Sequence, residues 1–552
     1  MVKGVNMDTD GMVISHLFYA DDALILGEWS DLNVTKMARI LRCFYACSGL
    51  KINVNKSNIY GIGTCDIETD NAALALGCQR GVMPFDYLGI WVGANMNRSC
   101  NWKRVIEVFE ARLASWKANL LSIGGRVILI KAVLESLPIY YFSLYKAPGK
   151  VYDTLERIMK RFLWSGSSDS NKIHWVNWNR VTTPKKLGGL GIKRLKEINE
   201  ALLFKWVWRF RTNPNSMWRR VVEVCHKNNN MWDVLPVNKY AAGCWKSIVK
   251  VGGSLKVNDI LLHTLIWAKV GRGSSVRFWL DIWLGEGVLK NRWPLLYRLE
   301  SNKNCSIADR VTFRNGCWVL EADWLSDIFT VAEFEAWLQL SVCVERMDFP
   351  NMVDKWVWVG ENNKPFSTQS VRKVIQDGVD YGSNFVLKWV SWVPLKCSIM
   401  VWWAEMNRLP TKMELVKRNV DITNTLCSWC DHCEETTIHV LADCIIASNV
   451  WDRISSWCGL DPIYAFEVKD FLGVYKTVKG DKMRRKIVHG LIMVTLWSLW
   501  VTRNDTIFNG KKPNVGDIVV KIKSISFLWL KNRSNCNRLL WEDWVRSPLY
   551  ML

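Results

Sequence analysis

The chain contains no apolar run long enough to cross a lipid bilayer. Its longest run, residues 491–501 (LIMVTLWSLWV), falls well short of the roughly 20 residues that a membrane helix needs, so it predicts a buried helix. The first residues run directly into polar sequence and lack the apolar stretch of a secretory signal. We therefore expect an intracellular protein without a membrane partner, whose cysteines stay reduced.

The signatures of several common enzyme classes are missing too. We find no Gly-rich phosphate loop, no Ser/His/Asp set and no HExxH motif. Acidic residues are fewer than basic ones: 52 Asp and Glu stand against 73 Lys and Arg, which gives a net charge of +21. Such a surplus says little about fold, but it indicates a polyanionic partner, and nucleic acid is the first to consider.

Tryptophan, by contrast, is abundant, with 33 residues in a chain of 552. Most of them are expected to be core and interface anchors, although base-stacking platforms are an alternative for some. A hydrophobic fraction of 49% over this length suffices for a large core, and it favours several domains over one.

The first ninety residues show strand and helix patterns in turn. Residues 17–19 and 23–26 are apolar and flank the tip at residues 20–22, which predicts a hairpin. A helix follows, and its apolar stripe is formed by Met37, Ile40, Leu41 and Phe44. Alternation over residues 50–54 predicts a strand, and a second strand pair is expected around residues 85–90.

From residue 101 the apolar period becomes helical. One stripe has the members Trp102, Val105, Ile106, Phe109, Leu113, Trp116 and Leu120. Residues 129–137 and 155–164 predict further helices, after which helices alternate with Trp- and Gly-rich loops. The tail from about residue 470 is basic and helical in pattern. The chain as a whole predicts a multidomain α+β fold.

Two adjacent carboxylates, Asp21 and Asp22, stand at the predicted hairpin tip. A polymerase holds its divalent ions with few protein ligands, usually carboxylates. Adjacent strand residues point to opposite faces, so we expect Asp21 to be the main ligand and Asp22 an auxiliary one. The alternative is a plain turn, for which Asp is a favoured residue, and spacing alone favours that alternative.

A second cluster has the spacing Cys427-x2-Cys430-x8-His439-x4-Cys444. Three thiolates and one imidazole complete a tetrahedral zinc site, and a closed site of this kind is structural. The alternative is a set of scattered buried thiols, which pack as small hydrophobes. Cys433 and His432 lie in the same loop, so either could replace one of the four ligands, and another thiophilic ion could replace zinc.

Four blocks appear in a fixed order: Tyr19-Ala20-Asp21-Asp22, residues 48–57 (SGLKINVNKS), residues 84–89 (PFDYLG) and residues 121–131. They resemble the catalytic (F/Y)-A-D-D box, the next palm motif, the primer-gripping block and the thumb of reverse transcriptases from plant LINE-type (non-LTR) retrotransposons. The resemblance extends to the Pro184–Gly191 stretch. The cysteine cluster, with residues 407–411 before it and Trp451 after it, is similar to the zinc-binding domain that follows these enzymes.

The resemblance implies an RNA-directed DNA polymerase that uses an RNA template, a DNA primer and dNTPs. It places catalysis at Asp21 and Asp22, with Mg²⁺ or Mn²⁺ as cofactor where the palm is completed, and one structural Zn²⁺ at the cysteine cluster. The residues implied near nucleotide or primer are Tyr19, Ala20, Lys56, Tyr87, Leu88 and Gly89. Arg126 and Lys131 of the thumb are expected on the nucleic-acid backbone.

The resemblance also divides the chain into six segments. They are the C-terminal half of the palm, built as hairpin, helix and strand (1–98), a helical thumb (99–170), a mixed connector (171–300), a linker region of uncertain fold (301–365), the zinc-binding domain (366–460) and a basic helical tail (461–552). A retrotransposon polymerase acts on chromatin, so the nucleus is the expected compartment, although no localisation run is evident.

A partner carboxylate for Asp21 is not evident. The family has another essential aspartate well upstream, and Asp8 and Asp10 lie too close to Asp21 to belong to such a motif. We therefore expect an N-terminally truncated polymerase that is inactive alone, because a two-metal site short of a carboxylate lacks charge and geometry. The competing hypothesis is a non-catalytic, zinc-containing nucleic-acid-binding protein, and a decayed remnant that folds poorly is a third.

Overall fold

The computed structural model describes residues 2–7, 11–114, 120–165, 172–226, 231–232, 235–238, 240–285, 287–314, 316–326, 330–361, 364–382, 384–534 and 539–549. Over these ranges the protein is mixed α/β, about 51% helical with small sheets, which confirms the predicted fold class at this coarse level. The boundaries proposed for the six segments stay predictions. Asp8, Asp10 and Trp116 lie outside the described residues.

The strands are short and pair two by two. In chain order they are β1 (Val5–Asn6), β2 (Val13–Ile14), β3 (His16–Tyr19), β4 (Asp22–Ile25), β5 (Asn58–Ile59), β6 (Gln79–Arg80), β7 (Phe85–Tyr87), β8 (Ile90–Val92), β9 (Met231–Trp232), β10 (Leu235–Pro236), β11 (Lys256–Val257), β12 (Ile260–Leu261), β13 (Ile266–Lys269), β14 (Val311–Arg314), β15 (Cys317–Leu320) and β16 (Lys355–Trp358). Each pairs with its neighbour in this order except β13, which pairs with β16, and only β5–β6 is parallel among these pairs.

Helices supply most of the regular structure. In chain order they are α1 (Asp31–Ser48), α2 (Asp66–Leu76), α3 (Lys103–Ala114), α4 (Ile123–Leu129), α5 (Ile139–Phe142), α6 (Gly149–Trp164), α7 (Trp178–Thr182), α8 (Leu195–Thr212), α9 (Met217–Cys225), α10 (Trp245–Ser254), α11 (Leu289–Arg292), α12 (Pro294–Leu299), α13 (Val331–Glu345), α14 (Thr368–Asp377), α15 (Leu395–Glu405), α16 (Lys412–Val416), α17 (Ile445–Cys458), α18 (Val468–Gly473), α19 (Lys482–Asn509), α20 (Val515–Arg533) and α21 (Trp541–Arg546).

The chain forms two compact units, each assembled from three stretches. The first unit combines Met1–Arg104, Pro138–Tyr152 and Leu195–Asp380. Its core has two parts: one surrounds α8, where α10 and α14 pack, and the other surrounds the buried aromatic rings of Phe278, Trp279 and Trp283.

The second unit combines Val105–Leu137, Asp153–Arg194 and Tyr381–Leu552. Helix α19 packs against α15 and α20 at its centre. The long apolar run predicted to be a buried helix lies within α19, and most of its side chains are buried. No helix within the described ranges is both long enough and apolar enough to span a membrane.

The predicted hairpin, the helix after it and the second strand pair are confirmed as β3–β4, α1 and β7–β8. The strand predicted over residues 50–54 is wrong: that stretch is irregular and ends in a short 3₁₀ turn at Val54–Lys56. The side chain of Asn53 accepts a hydrogen bond from the backbone N–H of Asn55 at 3.1 Å. Such a local bond favours a turn over extended pairing, and the strand forms later, as β5.

Candidate zinc centre and aspartate hairpin

A narrow loop places the first two predicted zinc ligands side by side. The backbone N–H of Cys427 donates to the carbonyl of Cys433 at 2.7 Å, which closes the loop. The N–H of Asp431 donates to the Cys427 carbonyl at 2.9 Å, and Asp431 adopts a positive φ of 55°. This tight turn keeps the side chains of Cys427 and Cys430 on one side of the loop.

The other two ligands come from the approach to α17. His439–Asp443 forms a single π-helical turn, and Cys444 caps the N-terminus of α17. The N–H of Cys444 donates to the His439 carbonyl at 2.9 Å, which fixes the two residues relative to each other. A thiolate at a helix N-terminus is stabilised by the helix dipole and by free N–H groups.

The four side chains converge on one point. The ligand atoms of Cys427, Cys430, His439 and Cys444 all lie within 4.8 Å of one another. Cys427 Sγ and Cys444 Sγ are 4.0 Å apart, and Cys430 Sγ lies 3.4 Å from His439 Nε2. A tetrahedral zinc ion with ordinary bond lengths sets separations of about 3.5–3.8 Å between its ligand atoms. The two measured distances lie within about 0.2 Å of that range, and the widest pair, at no more than 4.8 Å, would need an inward shift of about 1 Å to hold the metal.

The alternative ligands do not join the cluster. Cys433 is exposed and contributes its backbone carbonyl to the loop instead of its thiol, and His432 is exposed beside it. Cys427, His439 and Cys444 are buried, and Cys430 is half-buried. Burial of four protein donors describes a closed site, which is the structural kind of zinc centre and not a catalytic one.

Hydrogen bonds prepare one thiol for ionisation. The pKa of Cys427 is lowered to about 5, chiefly by the thiol of Cys444 and further by backbone N–H groups such as that of Trp429, while burial acts in the opposite direction. The same contact and burial raise the pKa of Cys444. Two adjacent thiolates therefore need a cation between them, which a zinc ion supplies.

Two contacts that attach the zinc loop to α19 were not predicted from the sequence. The carboxylate of Glu435, fully buried, pairs with the guanidinium of Arg503 on α19. The indole N–H of Trp429 donates to Thr506 Oγ1 on the same helix at 3.1 Å. Glu435 and Arg503 are 68 positions apart, and no local spacing rule connects them, so the sequence pattern did not reveal this pair.

The predicted polymerase carboxylates lie at an exposed turn. Tyr19 pairs with Asp22 across β3–β4, so Ala20 and Asp21 form a two-residue turn, and Ala20 has a positive φ of 52°. Both Asp21 and Asp22 are exposed. Within the part of the chain that the structure describes, no further carboxylate, histidine or cysteine side chains gather around them as a metal-binding group.

The other predicted palm residues belong to different elements from the aspartate turn. Lys56 is exposed in the 3₁₀ turn that follows α1. Tyr87 ends β7, and Leu88 and Gly89 form the tight turn to β8, both with positive φ. The carbonyls of Leu88 and Gly89 accept hydrogen bonds, each of 2.9 Å, from the hydroxyls of Tyr140 and Tyr141, so α5 holds this turn in place.

Arg126 and Lys131, the two thumb residues predicted to contact the nucleic-acid backbone, have hydrogen-bond partners within their own unit. Arg126 Nη1 donates to the carbonyls of Leu163 and Trp164 at the end of α6, at 3.2 and 3.4 Å. Lys131 Nζ donates to the Leu190 carbonyl at 2.5 Å. Burial chiefly, with a smaller effect of nearby lysines, lowers the pKa of Lys131 to about 8. Their contact with nucleic acid stays a prediction.

Comparison with known proteins identifies the region around the cluster. Residues 366–451 match the family described as zinc-binding in reverse transcriptase. The chain is 27% identical over 359 residues to an Arabidopsis thaliana protein named "Putative ribonuclease H protein", an alignment that covers 63% of this chain and 55% of that relative. It is 28% identical over 150 residues to an "Uncharacterized mitochondrial protein" of the same plant, which covers 27% of this chain and 93% of the relative.

The matched family and the convergent ligands agree on one region of the chain. All four predicted ligands lie between residues 366 and 451, inside the matched segment. The chain spans about half the length of the first of these relatives. Residues 366–451 therefore resemble the zinc-binding domain of reverse transcriptases, and the predicted resemblance to plant LINE-type reverse transcriptases is confirmed.

Proposed function

We propose that this chain is a nucleic-acid-binding portion of a LINE-type reverse transcriptase, in which the zinc centre is structural. The convergence of Cys427, Cys430, His439 and Cys444 inside the matched domain carries the proposal. The net charge of +21 supports a polyanionic partner. The proposed ligands are an RNA template and a DNA primer, and the zinc ion stabilises the local fold without taking part in chemistry.

The polymerase chemistry is assigned to the β3–β4 turn. Asp21 and Asp22 would hold Mg²⁺ or Mn²⁺ there, and such ions activate the primer hydroxyl and neutralise the triphosphate. Their exposure at a hairpin tip leaves room for a primer end. Because no third carboxylate accompanies them among the described residues, we propose that the chain does not polymerise DNA without a further ligand.

Primer extension and binding are measured on the same protein. An RNA template annealed to a labelled DNA primer is offered with dNTPs and Mg²⁺ or Mn²⁺, and binding is followed by fluorescence anisotropy. We expect the protein to bind the template–primer, with an association constant whose logarithm falls linearly with the logarithm of the salt concentration. We expect no extension of the primer. Extension that Asp21→Ala abolishes would contradict the second expectation, and absence of binding at low salt would contradict the first.

A non-catalytic role is the second candidate, and it is favoured because Asp21 and Asp22 are exposed and gather no further metal-binding side chains among the described residues, whereas the four zinc ligands converge. In that case the two aspartates serve only as a turn. Binding of nucleic acid then survives Asp21→Ala unchanged, and addition of divalent ions has no effect on the affinity for a primer end. A catalytic turn predicts instead that Mg²⁺ strengthens binding of the primer end and that Asp21→Ala removes this gain.

A further inference from the structure

A cavity of about 250 Å³ opens in the first unit, far along the chain from the aspartate hairpin. Buried apolar side chains form part of its wall, and two further lining residues, Arg272 and Asn351, are exposed. The full lining is Gly271, Arg272, Ile307, Ala308, Val311, Trp318, Phe349, Pro350 and Asn351. Its volume is below the roughly 300–1,000 Å³ of sites for drug-sized ligands, so it suits one small chemical group and not a larger ligand.

Two aromatic residues, Trp318 and Phe349, belong to the lining of this cavity. Trp318 on β15 pairs directly with Phe313 on β14, and the two ring centroids are 4.9 Å apart. Residues directly opposite in an antiparallel pair lie on the same face of the hairpin. Trp318 also packs edge-on against the buried Phe349, at 4.9 Å. Phe313 remains 59% exposed, so the hairpin keeps an accessible aromatic ring in contact with the lining residue Trp318.

The loop that contributes Gly271 and Arg272 to the lining is held in place by one carboxylate. The carboxylate of Asp354 accepts hydrogen bonds of 2.8 Å from the N–H groups of Gly271 and Gly273, and of 2.9 Å from the N–H and the hydroxyl of Ser275. A Cβ atom at Gly271 would lie 2.1 Å from the Met352 carbonyl oxygen, so only glycine fits. The loop therefore presents Arg272 from a fixed backbone, and little ordering is needed on binding.

The guanidinium group of Arg272 is itself held by another residue of the lining. Arg272 Nε donates to Asn351 Oδ1 at 2.9 Å, which joins two lining residues. An aromatic ring, a guanidinium group and an amide form the combination that takes up unpaired bases, since every base has a π-face and its backbone is anionic. We propose that this cavity binds an unpaired nucleobase of single-stranded nucleic acid, with Trp318 as the stacking platform and Arg272 as its cationic partner.

This inference rests on the proposed binding of nucleic acid, and it adds a preference for unpaired strands. A base inside a duplex is stacked and paired, so it cannot enter a cavity of this kind without being extruded. The chain should therefore bind a single strand more tightly than a duplex with the same number of phosphates. Removal of one stacking ring should weaken only the single-strand complex.

The test compares three variants of the full chain by fluorescence anisotropy, at fixed salt, with labelled oligouridine and with an RNA duplex of equal charge. Trp318→Leu removes the stacking ring and keeps an apolar side chain. Phe313→Ala removes the exposed ring, and its exposure makes a folding defect easy to avoid. Trp324→Leu is the matched control, because Trp324 packs on Trp337 in the same core and does not line the cavity.

We expect Trp318→Leu to weaken binding of oligouridine by about 5- to 150-fold, the range that one base–aromatic stack provides. Phe313→Ala should weaken it less, and Trp324→Leu should leave it unchanged. Duplex binding should be the same in all of them. Two outcomes overturn this inference without touching the proposed function. In one, wild type, Trp318→Leu and Phe313→Ala bind oligouridine equally well. In the other, the variants lose as much affinity for the duplex as for oligouridine. A wild-type chain that binds neither nucleic acid contradicts the proposed function instead.

Discussion

The guanidinium of Arg503 on α19 forms an ion pair with the carboxylate of Glu435 in the zinc loop, and both side chains are almost completely buried. Glu435 Oε1 also accepts the backbone N–H of Lys412 at 3.0 Å, at the start of α16. A single carboxylate therefore joins the zinc loop to two helices. The zinc domain and the helical tail consequently form one structural system within the second unit.

Replacement of Arg503 by Met should destabilise this system strongly. It leaves the carboxylate of Glu435 buried without its cationic partner, and loss of one partner of a buried pair costs about 3–5 kcal/mol. We expect the apparent free energy of unfolding, measured by urea denaturation with zinc present, to fall by about that amount. Hydrogen exchange should accelerate in the zinc loop and in α19, and not in the first unit.

A double replacement checks the cause of that loss. Glu435→Met combined with Arg503→Met removes both charges and keeps apolar volume, which is often close to neutral for a buried pair. The double variant should therefore recover much of the stability that the single variant loses. If the two variants are equally unstable, packing of the arginine stem and not the unpaired charge explains the effect.

Lys131 should make stability depend on pH in the alkaline range. Burial chiefly, helped by Lys185 and Lys193 and opposed by Glu135, lowers its pKa from 10.5 to about 8. Between these two values the unfolded chain binds a proton that the folded chain does not, so this residue makes stability rise with pH over that window. Below about pH 8 the buried charge is present in the folded state and its cost is constant.

The variant Lys131→Met isolates this contribution. Its advantage in stability over wild type should be largest near pH 7 and should shrink steadily from about pH 8 to pH 10.5, as followed by denaturation midpoints across that range. Lys150→Met, at an exposed position of α6, reports what removal of one surface charge does by itself. A stability difference between Lys131→Met and wild type that stays constant with pH would show that Lys131 is not buried as described.

The zinc ligands could be predicted because their spacing is local. Two residues between Cys427 and Cys430 allow one loop to supply both thiols, and four between His439 and Cys444 allow one helical turn to do the same. The Glu435–Arg503 pair joins residues 68 positions apart, and its existence depends on the packing of α19. No periodicity in either segment contains that information.

The strand at residues 50–54 shows a different limit. Alternation of apolar and polar residues there is real, but Asn53 bonds locally and forms a turn. Alternation predicts a strand only where a partner edge is available, and a short polar side chain can satisfy the backbone without one. The cavity at Trp318 is a third case, since its lining comes from four separate stretches of chain between residues 271 and 351.

Gly189 should not tolerate a side chain. A Cβ atom there would lie 2.0 Å from the Thr183 carbonyl oxygen and 2.6 Å from that of Arg180. Gly189→Ala should therefore shift this loop and lower the apparent free energy of unfolding by about 1–3 kcal/mol or more, as measured in urea. Gly149→Ala is the matched control, because a Cβ atom there meets no atom within 4 Å, and it should leave stability unchanged or slightly higher.

Zinc content distinguishes the proposed ligand set from its neighbours. Purified protein should contain one zinc ion per chain by elemental analysis, and Cys427→Ser or His439→Ala should remove it, because each deletes one donor of a four-donor site. Cys433→Ser is the matched control: its thiol is exposed and outside the cluster, so the variant should retain the ion. Since metal binding contributes directly to local folding, a chelator should make residues 385–460 of wild type and of Cys433→Ser sensitive to limited proteolysis. Zinc lost from Cys433→Ser and retained by His439→Ala would instead assign the fourth ligand to Cys433.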